Sequence, residues 1–144
     1  MAIQKVPSVV DVYWTDSKPV LDANFAELNQ KYTVTTTATP ATGTCAVQFV
    51  FKDPNTGATI NYPISGIGYI AAAADGLATK TVTSLAVLTN GRLLNMPTVT
   101  SMFQFTTTAA GLLGMTITAS AGNNYVVFVL PNGRLLVSTV CTVN

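Results

Sequence analysis

The residues that could do chemistry here are six carboxylates, two cysteines and a few serines near lysine, and their spacing argues against a reaction. Histidine is absent, and with it the commonest general base and metal ligand near neutral pH. Cys45 and Cys141 have no histidine partners and form no C-x-x-C pair, so no four-ligand zinc set exists. Asp53 and Asp75 fall in the turn sequences "DPNTG" and "DG", where aspartate is expected for backbone hydrogen bonding alone. Asp11, Asp16, Asp22 and Glu27 lie before residue 32. Lys80 with Ser84 or Ser138 is formally a serine–lysine dyad, but nothing in the surrounding sequence marks it as one.

Ligand-binding motifs fail on context. "DPNTG" opens like a calcium loop yet lacks the third ligand and the distal bidentate glutamate, so a hairpin turn is the expectation. "GIG" at 66–68 and the pair Gly111 and Gly114 do not lead from a strand into a helix, as phosphate cradling requires. A net charge of +1 gives nucleic acid no basic stripe to follow. No apolar run approaches the roughly 18 residues of a membrane-spanning helix. These residues predict a protein that is not an enzyme, with no cofactor, no metal, no nucleic-acid partner and no membrane partner.

The elements that would position any site are unevenly built. Charged residues make up 9% of the chain, against about 25% in an average globular protein. Residues 1–34 hold seven of the thirteen charges, and after Thr81 only Arg92 and Arg134 are charged. A domain so poor in charge keeps its solubility through hydroxyl and amide side chains, or it hides surface against copies of itself. Twenty-three threonines support the first, and a hydrophobic content of 49% supports the second.

Two regions are expected: residues 1–32, a docking arm followed by a short oligomerisation helix, and residues 33–144, an antiparallel β domain. In the first, "VPSVVDVYW" carries Pro7 and reads as an extended arm or edge strand over residues 1–16. Pro19 suits a first helical turn, Asp16 or Ser17 can cap it, and Asp22, Glu27 and Lys31 follow in the order the helix dipole favours. The spacing predicts a helix over 19–31. Leu21, Phe25, Leu28 and Tyr32 recur at steps of four, three and four along one seam. Such a helix is marginal alone in water and must pack on something.

From residue 33 onward the apolar period is two, with turn signals at short intervals. "TCAVQFVFK" and "ATINYPI" flank "DPNTG"; other strand pairs flank Asp75-Gly76, Asn90-Gly91 and Asn132-Gly133; "AGNN" (121–124) turns between "GMTITA" and "YVVFV". The expected fold is mainly β: an antiparallel β-sandwich or barrel of about eight to ten strands. Phe49, Phe51, Phe103, Phe105 and Phe128 show core patterning, and Cys45 and Cys141, both in strands, are expected as buried free thiols, with a disulfide the alternative. "VLTNGRLL" (87–94) returns as "VLPNGRLL" (129–136), and the glycine-led stretch 74–84 parallels 109–119. The matching Arg92 and Arg134 read as solvated charges that blunt exposed hairpins.

"LDANFAELNQKY" (21–32), preceded by "DSKPV", resembles the "NANF-x-x-LN" helix near the N-terminus of short fibre, tail and decoration proteins of tailed bacteriophages. The match covers residues 17–32, and the charge-poor Thr/Ala/Gly-rich remainder is similar in composition to the exposed domains of those proteins. The resemblance implies a non-enzymatic virion component, often a homotrimer, made in the host cytoplasm and attached to capsid or tail proteins by its N-terminal part. On that basis Leu21, Phe25, Leu28 and Tyr32 are the expected oligomer interface. Val9, Val10, Tyr13 and Trp14 are the expected particle-docking anchors, since aromatic side chains among β-branched ones anchor interfaces well. Three functions follow: capsid decoration or head fibre; a short tail fibre or tail adaptor that meets a host surface receptor; and a bacterial adhesin or carbohydrate-binding module. Short turns without aromatic residues favour the first, and the absence of a secretion signal argues against the third.

Overall fold

The computed structural model describes residues 32–96, 99–130 and 133–144. The chain divides into two units, 1–31 and 32–144, and everything described belongs to the second. The helix expected over 19–31 and the arm expected over 1–16 lie outside the described residues.

The described residues form ten strands and no helix: β1 (Thr33–Ala41), β2 (Thr44–Lys52), β3 (Ser65–Ala71), β4 (Ser84–Val87), β5 (Arg92–Met96), β6 (Val99–Thr106), β7 (Leu112–Thr118), β8 (Gly122–Val129), β9 (Leu135–Val137) and β10 (Cys141–Val143). Every strand pairing is antiparallel. Sheet one runs β1-β2-β7-β4, and sheet two runs β10-β8-β3-β6-β5 with β9 also paired to β8. Beside the β1–β2 turn the two sheets meet: the Gly43 amide donates to the Asn144 oxygen (2.9 Å) and the Asn144 amide donates to the Ala41 carbonyl (3.1 Å).

Alternation of side chains builds the core. Cys45, Val47, Phe49 and Phe51 of β2 are fully buried, and so are Phe103 of β6 and Val126 and Phe128 of β8. Phe128 meets Phe49 edge-on at 4.9 Å between ring centres and Phe51 at 5.1 Å, while Phe51 stacks on Phe105 at 5.9 Å. Each of these contacts joins a residue of one sheet to a residue of the other, and the aromatic layer they form is worth more than its buried area alone. The glycines of "GIG" serve this layer. A Cβ on Gly68 would collide with the Phe103 ring, and one on Gly66 would press on Phe105 at 3.1 Å.

The repeated octapeptide adopts two different structures. In the second copy, Val129 pairs with Leu135 in a hairpin of β8 and β9, closed by a bond from the Leu130 amide to the Arg134 carbonyl (2.9 Å). In the first copy the Leu88 amide donates to the Gly114 carbonyl and the Gly114 amide to the Asn90 carbonyl, both at 2.9 Å, before Arg92 pairs with Thr106. It therefore carries the chain from sheet one to sheet two. The hairpin expected at Asn90-Gly91 is corrected to this crossing, and "AGNN" likewise follows a crossing from β7 to β8. The consequence is a flipped face. Leu93 packs against the core and Leu94 points out, whereas in the second copy Leu136 packs inward and Leu135 points out. With a side-chain period of two, a one-residue shift exchanges the two sides.

Candidate assembly surface

Sheet two presents apolar side chains on both of its faces. Its inner face carries the phenylalanines, and its outer face is a cross-strand row read from the register: Leu135, Val129, Ile67, Gln104 and Leu94 on β9, β8, β3, β6 and β5. The next row holds Val137, Val127, Tyr69 and Met102. Much of this is open to solvent: Leu94 is 68% exposed, Ile67 41%, Leu135 38% and Met102 36%. Isolated exposed leucines are ordinary, but aligned neighbours on one face mark an interaction surface.

The loop between β3 and β4 roofs part of this face. The Tyr69 hydroxyl donates to the Gly76 carbonyl at 2.6 Å, and Gly76, at φ +72°, lies close over Val127 and Val137. Beyond the loop the face opens into a groove of about 660 Å³, floored by Ser65, Ile67, Thr106, Gln104, Arg92 and Leu94 and bounded by Val87. Ser65 and Thr106 hydrogen-bond to each other at 2.9 Å along its polar end. The lining is mixed: Ile67, Leu94 and Val87 are apolar, Ser65, Thr106 and Gln104 polar, and Arg92 cationic.

Of the site residues expected from sequence, Leu21, Phe25 and Leu28 and the anchors Val9, Val10, Tyr13 and Trp14 lie outside the described residues. Tyr32 is described. It is half-buried against the core of its own domain, edge-on to Tyr62 at 6.5 Å, with the two hydroxyls 3.3 Å apart. Of the groove residues, Arg92 was read from sequence as a solvated hairpin charge and Ile67 lies in the "GIG" stretch; the others were not singled out, although a signal existed. "YVVFVL" and "RLLV" are unbroken apolar runs, and in an antiparallel sheet such a run means that both faces are covered.

The groups with chemical potential have structural partners. The Asp53 carboxylate accepts from the amides of Asn55 (2.7 Å) and Thr56 (3.1 Å), and that of Asp75 accepts from the Leu77 amide (3.0 Å). Lys80 donates to the Asn123 carbonyl at 2.9 Å. Ser138 accepts from the Val126 amide and donates to the Thr139 carbonyl, so these two are not joined as a dyad. Cys45 and Cys141 are both free and buried. Burial pushes the Cys141 thiol up to about 11, opposed by the Ser138 hydroxyl and reinforced by Cys45; burial raises Cys45 too. Both are thiols at neutral pH and poor nucleophiles. The described residues contain no cluster of three metal-ligating side chains and no helix long and apolar enough to cross a membrane.

No family model matches the chain, and no curated protein matches it. Among solved structures, a GH20 exo-β-N-acetylglucosaminidase from Vibrio harveyi in complex with N-acetylglucosamine aligns at 13% identity with a TM-score of 0.34, over 78% of this chain and 18% of that one. A likeness of that size carries no argument about activity.

Proposed function

We propose that this chain is a non-enzymatic structural protein of a tailed-bacteriophage virion, a homotrimeric capsid decoration or head-fibre protein attached by its N-terminal residues. The observation that carries this reading is the outer face of sheet two: an aligned apolar row and groove on a domain with very little charge. A face of that kind is at home in an assembly, where a second surface removes it from water at about 25 cal/mol per Å². The helix motif at 21–32 supplies the virion context. In this reading the β domain is a sandwich. Leu21, Phe25, Leu28 and Tyr32 line the trimer junction, and Val9, Val10, Tyr13 and Trp14 seat the arm on the shell.

Two experiments test it. Antibody-gold labelling of intact particles should place the protein on the head, and labelling confined to the tail, or none, would reject the decoration role. Phe25→Asp should dissociate the trimer, because three carboxylates would meet at one layer; a variant that stays trimeric by light scattering would remove the seam from assembly.

A further inference from the structure

The β3–β4 loop is built to hold a leucine out in water. Leu77 is 78% exposed, the highest figure among the large hydrophobic side chains of the described residues. Yet its loop is fixed at several points. The Ala72 amide donates to the Ala78 carbonyl (2.8 Å) and the Gly76 amide to that of Ala73 (3.1 Å); Tyr69 holds Gly76, and the Asp75 carboxylate caps the Leu77 amide. A rigid loop that presents an apolar tip has already met the ordering cost of binding. At the opposite corner of the same sheet face lies the groove, with Ile67, Leu94 and Val87 in its lining and the exposed Arg92 at its end.

We propose that Leu77 of one copy seats in this groove on a second copy of the chain, with Asp75 of the first facing Arg92 of the second. The two patches are complementary in two respects: the Leu77 tip to Ile67, Leu94 and Val87 of the groove, and carboxylate to guanidinium. Residues 32–144 hold two aspartates and no glutamate; the Asp53 carboxylate accepts from two amides of its own turn and that of Asp75 from one, which leaves Asp75 the freer of the two to meet Arg92. Tip and groove are separate patches of one sheet face, and a contact between unlike patches closes into a ring only where the rotation between copies allows it. This inference rests on the self-assembly proposed above and assigns the surface through which the β domains contribute to it.

Sedimentation equilibrium on the full chain tests it with four variants: Leu77→Asp, Asp75→Arg, Arg92→Asp, and the exchange Asp75→Arg with Arg92→Asp. Circular dichroism serves as the check that each is folded. Each single change should weaken association at least tenfold, and the exchange should recover most of that loss, since the pair is restored with its charges reversed. Leu77→Asp that assembles like the wild type, or an exchange no better than the worse single change, overturns the contact while leaving a wild-type trimer in place. A wild-type chain that is monomeric at tens of micromolar overturns both this contact and the assembly it serves.

Discussion

The outer faces of the two sheets treat water in opposite ways. On sheet one, Thr33, Thr35, Thr37 and Thr39 stand exposed along β1, and the same face carries Gln48 on β2, Thr116 and Thr118 on β7 and Ser84 on β4, with Val50 and Leu112 opposite Thr35. On sheet two, the equivalent surface holds Leu135, Val129, Ile67, Met102 and Leu94, with Gln104 in the same row and Ser65, Thr106 and Arg92 at one end. Both faces are poor in charge, since residues 32–144 carry only six charged side chains. Composition offered two ways for such a domain to live in water, hydroxyls or self-burial; sheet one is the richer in hydroxyls, and the proposed assembly would cover the apolar side chains of sheet two.

Four perturbations break or sharpen that contrast, in order of expected size. The largest acts on the layer both faces share. Phe128 touches Phe49 and Phe51 of sheet one and Phe103 and Phe105 of sheet two, so Phe128→Ala should cost about 3–5 kcal/mol in urea unfolding. Both sheets should then melt in a single transition; separate transitions would mean that the faces belong to independent layers.

Next comes pH. The Cys141 thiol is raised from 9.0 to about 11 in the folded chain, so its contribution is fully present below pH 9 and is lost as pH climbs from 9 to 11. The size is about 2–3 kcal/mol at 1.36 kcal/mol per pKa unit. Cys141→Ala should flatten that part of the stability curve, measured against the wild type in the same buffers.

On the apolar face, Ile67→Lys should leave the melting temperature nearly unchanged yet weaken association tenfold or more, about 1.4 kcal/mol, by light scattering across a dilution series. The matched change on the hydroxyl face, Thr37→Lys, should alter stability by less than about 0.5 kcal/mol and association not at all. Equal effects from these two substitutions would erase the distinction between the faces.

The fold class was legible because period-two alternation and turn glycines are local signals. All five phenylalanines read as core are in it, and the aspartates read as turn formers accept the expected backbone bonds. The region from residue 33 reads as β, but no apolar run marks β1 off as a strand of its own: "TVTTTATPA" has few apolar residues, and its pairing with β2 along all nine residues settles its conformation. The first copy of the octapeptide was misread for a related reason: "TNGR" specifies a turn, but whether the chain then pairs back or crosses to the other sheet depends on Gly114 and Thr106, which are distant in sequence. The assembly face escaped notice because its members come from five strands, and no single stretch contains more than two of them.

One measurement compares the faces directly. Carbene footprinting of the full chain, assembled and then diluted until it dissociates, reports solvent access side chain by side chain. Assembly should suppress labelling at Ile67, Leu94, Met102 and Leu135 and leave Thr33, Thr35, Thr37 and Thr39 labelled as before. Labelling of the apolar row that is the same in both states, or protection that falls on the threonines instead, would contradict the account.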